Sequence, residues 1–178
     1  MVPFDAMVPR LRRVVRQAAQ DTGKQVQLRL DGAQGELDRN VLERMVSPLE
    51  HLLRNAIAHG LESPSGRRAA GKADEGSVRI AVRREGSEVV LEVSDDGAGI
   101  DLERVAQAVI KRRFATAEQV EQMTEEELLA FLFLPGFSMS QQVTEVSGRG
   151  VGLDVVQHEI RRMRGNVRLL QNPDQGCL

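Results

Sequence analysis

The chain has 178 residues, of which 41% are hydrophobic and 28% are charged, and its 24 basic and 26 acidic residues give a formal net charge of −2. These values predict one soluble globular domain with its own core, and the near-neutral charge and the absence of Trp and Tyr disfavour a nucleic-acid binder. The single Cys177 excludes an internal disulfide or a thiolate zinc site, and without a membrane span or a secretory signal we expect a cytoplasmic protein with no direct membrane insertion.

Periodic apolar residues predict the elements of the first part of the chain. Residues 9–22 form an amphipathic pattern typical of a helix, and residues 25–31 alternate as in a half-buried strand. A second helix is predicted from Asp38 to Gly60. Its apolar stripe consists of Leu42, Met45, Val46, Leu49, Leu52, Leu53 and Ala56. Pro48 interrupts this pattern, so either the helix kinks there or a new helix begins with Ser47 as its N-cap.

The second part of the chain mixes strands and helices. Residues 62–76, rich in Gly, Ser, Lys and Arg, predict a surface connection with one helical turn. Alternation on both sides of Gly86 predicts a β-hairpin. Helices are predicted to begin at Asp101, at Thr124 (through Phe133) and at Leu153 (through Met163), and a strand is predicted over 166–170. This order indicates an α+β fold in which helices cover a sheet.

The helix that ends at Gly60 carries a polar stripe. His51, Asn55 and His59 stand at i, i+4 and i+8 and share one side beside the apolar face. An amide oxygen is a neutral ligand suited to Mg²⁺, and histidine is a base that titrates near neutral pH. The stripe therefore predicts either the half-buried floor of a pocket or a solvated polar flank.

Residues 95–100 (DDGAGI) directly follow the second hairpin strand and precede the helix at Asp101. A carboxylate at a strand end, followed by glycines that let a ligand approach the backbone, suits recognition of an exocyclic amine such as that of adenine. A plain strand–turn–helix connection would have the same features, and the segment alone does not decide between the two.

Residues 148–152 (GRGVG) enter the helix that begins at Leu153. Glycines at a helix N-terminus expose amide groups and the positive end of the helix dipole, which suit phosphate. No Gly-Lys-Ser/Thr follows, and no strand precedes the loop, so it is neither a Walker A loop nor a dinucleotide-binding fingerprint. The alternative is a flexible linker between two helices.

Taken together, these segments resemble the nucleotide-binding boxes of the GHKL ATPase superfamily, which includes gyrase, Hsp90, histidine kinases and MutL. Residues 51–62 (HLLRNAIAHGLE) are similar to its N box and residues 95–100 to its G1 box. Residues 131–138 (FLFLPGFS) are similar to the F box and residues 148–156 (GRGVGLDVV) to the G2 box. The residue pattern of all four boxes resembles that of CheA-like chemotaxis histidine kinases, especially those of type IV pilus signalling systems.

The resemblance implies a Bergerat-type two-layer α/β sandwich with a mixed, mostly antiparallel sheet, helices on one face, and an ATP lid at residues 138–147. It implies ATP and Mg²⁺ as cofactors, with Asn55 as the metal ligand and Asp95 as the acceptor for the adenine amine. The other nucleotide-binding residues that it implies are Arg54, Gly97, Gly99, Ile100, Gly148, Arg149, Gly150, Val151, Gly152 and Cys177.

The implied activity is phosphoryl transfer from ATP to a histidine on a separate phosphotransfer domain of the same protein. His51 would help to remove the proton from the attacking histidine, and His59 and Arg54 would contact the phosphates. His158 is interpreted as an ordinary residue of a helix surface. The implied partners are response regulators, a coupling protein and a receptor array, with dimerisation through a domain outside this chain.

The resemblance also implies domain limits and two departures from the family pattern. Residues 1–22 would be a helix at the junction with a preceding dimerisation region, and residues 23–178 the ATP-binding domain without its last strand. Ala58 stands where the family usually has Asp, and Cys177 where it usually has Thr. These departures favour an alternative, a nucleotide-binding signalling module without phosphotransfer. An ATP-hydrolysing conformational machine is disfavoured, because His51 stands where such relatives carry a general-base Glu.

Overall fold

A mixed three-stranded sheet forms one layer of the protein. The computed structural model describes residues 1–32, 35–137, 152–172 and 176–177. Its strands are β1 (Val2–Pro3), β2 (Gln25–Asp31), β3 (Glu36–Leu37), β4 (Glu75–Glu85), β5 (Glu88–Asp95), β6 (Gln171–Asn172) and β7 (Gly176–Cys177). The main sheet has the order β2–β4–β5, and two short antiparallel pairs, β1–β3 and β6–β7, lie outside it.

The register of the main sheet places the end of β5 beside the central strand β4. β2 runs parallel to β4, with Leu28 opposite Val78, and β5 is antiparallel to β4, with Asp95 also opposite Val78. The β4–β5 hairpin closes through Gly86, whose φ of +63° is the left-handed conformation that a tight hairpin turn requires. The predicted hairpin is therefore confirmed.

Helices form the second layer. They are α1 (Val8–Thr22), α2 (Arg39–Asn55), α3 (Pro64–Ala69), α4 (Leu102–Lys111), α5 (Ala117–Glu121), α6 (Glu125–Ala130) and α7 (Leu153–Arg162). The main core lies between the sheet and α1, α2 and α7. Its completely buried side chains include Leu11, Leu49, Leu53, Ile57, Val78, Ile80 and Val156. No helix in the described ranges is both long and apolar enough to cross a bilayer.

Local signals explain where the helices begin and end. Asp38 caps α2 by accepting a hydrogen bond from the Asn40 amide at 2.8 Å, and Gly23 ends α1 at a φ of +65°. Thr116 and Thr124 each form a capping box at the start of α5 and α6. The helix predicted at Thr124 is confirmed, whereas α5 was missed because it is only five residues long.

A second cluster lies beyond β5. It joins α4, α5 and α6 to a 3₁₀ turn at Phe131–Phe133, and its rings are Phe114, Phe131 and Phe137, with centroids 5.7 to 6.4 Å apart. This aromatic cluster holds the F-box residues 131–137 against the helix that follows the G1 box. The fold thus has the α+β two-layer arrangement that was predicted, with an added helical segment on one side.

One open alternative is decided, and two predicted features are wrong in detail. The alternative of a new helix at Ser47 is excluded, because α2 continues through the buried Pro48. Residues 166–170 form no ladder, and pairing begins only at Gln171, where β7 supplies a partner. The connection 62–76 is not wholly on the surface, because its helix α3 buries Arg67 to 2% exposure.

Candidate functional site

Asp95 lies at the meeting point of two predicted boxes. Its carboxylate is buried, with 7% of the residue exposed, and its Oδ1 accepts a hydrogen bond from the Gly97 amide at 2.9 Å. A Cβ on Gly60 would lie 2.8 Å from Asp95 Oδ2, so the end of the N box touches this carboxylate directly. The structure therefore brings together the two boxes that the sequence analysis assigned to nucleotide binding.

The neighbouring carboxylate, Asp96, accepts hydrogen bonds from an arginine side chain and from a backbone amide. The Arg67 guanidinium donates from Nη1 to Asp96 Oδ1 at 3.1 Å and from Nη2 to Oδ2 at 3.0 Å. The Ser77 amide also donates to Asp96 Oδ1, at 2.9 Å. These contacts set Asp96 apart from Asp95, the carboxylate that the sequence analysis assigned to nucleotide binding and that faces the N box.

A wide helical turn, Ala56–Gly60, connects α2 to Leu61 with π-helical hydrogen bonding. The Lys24 ammonium donates to the carbonyl oxygens of Ile57 at 2.6 Å, Ala58 at 3.1 Å and Leu61 at 2.7 Å. A cation at the carbonyl end of a helix satisfies acceptors that the helix itself leaves open. Lys24 thus holds the turn that presents Gly60 to Asp95.

His51 and Asn55 lie half-buried on α2, as predicted, but His59 is exposed. The stripe was extrapolated at a regular α-helical period, and the wide turn after Asn55 changes that period, which is why His59 departs from it. Burial first, and then the positive charge of Arg54, lower the pKa of His51 against the opposing effect of Glu50. His51 is therefore held toward its neutral form, which can accept a proton.

The pKa of His59 is also lowered, first by loss of hydration and then by the positive charge of Lys24. Burial of its own ammonium group lowers the pKa of Lys24, and the negative charge of Glu62 opposes that change. His59 belongs to the N box, and Lys24 contacts the end of this box from the segment between α1 and β2, so a histidine and a lysine with lowered pKa values lie beside the turn.

Other predicted residues are placed only in part. Gly99 has a φ of +82°, which favours glycine, and Ile100 packs against the aromatic cluster. Gly152 is the N-cap of α7, and Cys177 is in β7, paired with Gln171. Gly148, Arg149, Gly150, Val151 and the predicted lid lie outside the described residues.

Sequence reasoning missed Lys24, Arg67 and Lys72. Lys24 follows a helix end and looked like a loop residue, and Arg67 and Lys72 stand in a polar segment that resembles any solvated connection. A buried arginine is rare unless it is paired, and only the fold supplies its partners. The one available signal was the proximity of residues 62–72 to the N box along the chain.

The donor set fits a magnesium ion carried by a nucleotide better than a metal cage. In the parts that the structure describes, no group of three His, Cys, Asp or Glu side chains could hold a metal. Mg²⁺ usually keeps several waters and takes one or two protein ligands together with substrate phosphates. The half-buried Asn55 can supply such a single oxygen ligand.

Two surface grooves lie outside the site. One, of about 710 Å³, is lined by residues that include Phe114 and Phe131, and the other, of about 490 Å³, by residues that include Asp96 and Arg67. Neither is lined by Asn55 or Asp95.

Replacing Gly97 with Ala is expected to destabilise the protein by about 1–3 kcal/mol and to weaken ligand binding at Asp95. The new Cβ would stand 2.0 Å from the carbonyl oxygen of Gly60, where backbone must move. Thermal unfolding measures the first effect. The control is Gly66→Ala on α3, whose nearest neighbour is a side-chain oxygen at 3.3 Å. Equal stability of the two variants would contradict the close approach.

The chain is similar to known proteins over most of its length. A family model described as histidine kinase-, DNA gyrase B-, and HSP90-like ATPase matches residues 40–178. The chemotaxis protein CheA of Salmonella typhimurium is 41% identical over 176 residues, covering 99% of this chain and 26% of the relative. CheA of Klebsiella aerogenes is 40% identical with the same coverage. The gliding motility regulatory protein of Myxococcus xanthus is 42% identical over 167 residues, 94% of this chain and 22% of the relative. The chain spans about a quarter of the length of these relatives.

Proposed function

Because this chain belongs to the family of histidine kinase-, DNA gyrase B-, and HSP90-like ATPases, we propose that it binds ATP with Mg²⁺ and transfers the γ-phosphoryl group to a histidine of a separate domain. The observation that carries this proposal is the meeting of Asp95 with Gly60 and Gly97 at the end of the helix that bears His51 and Asn55. A buried carboxylate and a close-packed glycine pair meet there, and the helix that leads to them carries the half-buried Asn55 and His51.

Asp95 is the acceptor for the exocyclic amine of adenine. A buried carboxylate accepts such a hydrogen bond more strongly than an exposed one, because little water competes for it. Gly97 allows the turn after Asp95 to pack against Gly60, because a side chain at this position would meet the Gly60 carbonyl oxygen. Asn55 supplies one oxygen to Mg²⁺, and the bound ion would offset the charge of the phosphates.

His51 takes a proton during transfer. A new bond forms between a nitrogen of the substrate imidazole and the γ-phosphorus, and the bond from that phosphorus to the ADP oxygen breaks. The proton displaced from the substrate imidazole goes to the neutral His51. The transition state of phosphoryl transfer is loose, so the main work of the protein is positioning and charge neutralisation.

The substrate histidine lies on a phosphotransfer domain of the full protein, and the phosphoryl group passes on to response regulators. A signalling role is supported by the relatives, of which two are described as the chemotaxis protein CheA and one as a gliding motility regulatory protein. The same proposal includes a role in chemotaxis or pilus-type motility. It also includes a coupling protein, a receptor array and dimerisation through a domain outside this chain. Nucleotide binding is further proposed to involve Arg54, His59, the Gly148–Gly152 loop and Cys177.

The test combines binding and transfer in the full-length protein. We expect it to bind ATP in the presence of Mg²⁺ and to form an acid-labile phosphohistidine on its phosphotransfer domain. Binding without any phosphohistidine would instead support a signalling module that only binds nucleotide, the reading that Ala58 favours. Absence of ATP binding would contradict both.

A further inference from the structure

The segment after the N box reaches across to the turn that carries Asp95. Arg67 of α3 is the link, and its side chain is only 3% exposed. Its Nε donates to the Ala73 carbonyl at 2.6 Å, and its Nη1 donates to Glu62 Oε1 at 3.2 Å. The guanidinium is therefore held by two hydrogen bonds within residues 62–73, in addition to its contacts with Asp96.

Asp96 is held on its side chain and on its backbone. Arg67 contacts both carboxylate oxygens, and the Lys72 ammonium donates to the Asp96 carbonyl at 2.8 Å. The Asp96 amide donates to the Ser77 carbonyl at 3.2 Å. Since Asp96 lies between Asp95 and Gly97, these contacts set the peptide units on both sides of it.

Charge explains why the arrangement is stable. The positive Arg67 and Lys72 face the negative Glu62 and Asp96, so the buried guanidinium is balanced within one network. Although burial alone would raise it, the pKa of Glu62 is lowered by the hydrogen bond and charge of Lys72 and by the charge of Arg67. A paired and hydrogen-bonded arginine is a rigid anchor, because its planar fork matches a carboxylate in two places.

We propose that Arg67 is a positioning residue for base recognition, holding Asp96 so that the adjacent Asp95 carboxylate alone faces the nucleobase. This inference rests on the proposed function, because it assigns a selectivity role within the ATP site. Arg67 acts through Asp96 and does not touch the nucleotide. When the two hydrogen bonds from the Arg67 guanidinium to the Asp96 carboxylate are lost, Asp96 is held less firmly. The peptide units that orient Asp95 then become less constrained.

The readout is the preference for ATP over inosine triphosphate, which carries a carbonyl oxygen where adenine carries the amine. In the full-length protein, Arg67→Met is expected to reduce this preference by about tenfold, as when one charged hydrogen bond is weakened. Affinity for inosine triphosphate should change little, because it does not depend on the amine. A purely structural role would lower stability and leave the ratio unchanged.

The matched control is Arg68→Met, on the same helix, where the side chain is 64% exposed and pairs only loosely with Asp74 at 3.5 Å. It should keep the full preference. Arg67→Lys, which keeps the charge and loses the fork, should be intermediate, and Asp96→Asn should lower the preference like Arg67→Met. If Arg67→Met does not fold, these two variants decide the question.

The inference is overturned if Arg67→Lys, Arg67→Met and Asp96→Asn all retain the wild-type preference. A wild-type protein that binds no ATP, or binds both nucleotides equally, overturns the proposed adenine site and this inference with it. Loss of preference in Arg68→Met to the same extent would also overturn it, because the effect would then not depend on Asp96.

Discussion

Replacing Asp95 with Asn is expected to lower the affinity for ATP by about 100-fold, since hydrogen bonds to charged groups contribute roughly 1.5–3 kcal/mol and the amide of Asn can present a donor to another donor. The substitution preserves size, so it changes the charge and the acceptor pattern of a residue that is 7% exposed. The turn should remain formed, because Arg67 and Ser77 hold the neighbouring Asp96 independently. Titration calorimetry with ATP and Mg²⁺ measures the loss.

The matched control for this substitution is Asp21→Asn on the exposed side of α1, which should bind ATP like the wild type. Thermal unfolding of Asp95→Asn shows whether the protein is folded at the temperature of the titration. Retained affinity in a folded variant would remove the adenine assignment of Asp95.

Replacing His51 with Gln is expected to slow phosphotransfer by about 10²–10⁴-fold, the range that a general base contributes, while ATP binding is nearly unchanged. Gln keeps a polar side chain of similar length, but it has no basic nitrogen that could take a proton. His51 is half-buried on α2, and in the proposed function it serves the transferred phosphoryl group and not the adenine contact. The rate of phosphohistidine formation, measured at saturating ATP, reports the effect.

The dependence of the transfer rate on pH tests this role of His51, because the pKa shift of His51 determines the direction of the change. Burial and the charge of Arg54 lower the pKa of His51, so the neutral base persists at lower pH than an ordinary histidine, whose pKa is 6.5. Transfer should therefore rise with pH through a midpoint below 6.5 and stay flat above it until other groups titrate. In His51→Gln the contribution of His51 to this rise should disappear, and the titration of the attacking substrate imidazole should remain.

The control for His51 is His158→Gln, an exposed position on α7, which should transfer at the wild-type rate. Unchanged transfer in His51→Gln, or an unchanged pH profile, would exclude His51 as the base. A loss of ATP binding in the same variant would instead make it a binding residue.

Much of the fold could be predicted from patterns among residues that are close together in the sequence. The apolar period of α1 and α2, the alternation in β4 and β5, and the glycine at the hairpin turn each act within a few residues, and all were predicted. The match to the family over residues 40–178 confirms the resemblance read from the four boxes. An error arose where a distant partner decided the outcome, as at Arg67, whose burial depends on Asp96, 29 residues further along the chain.

The sequence by itself determined the order of the nucleotide-binding boxes and the residue types that carry their chemistry, because these are written in short segments with fixed spacing. Only the tertiary structure showed how the two adjacent carboxylates differ, with Asp95 buried against Gly60 and Asp96 bound by Arg67. Lys24, Arg67 and Lys72 come from segments that look solvated, and their burial depends on carbonyls and carboxylates elsewhere in the chain. Buried charges are stable only with such partners, so their positions become visible when the fold brings those partners together.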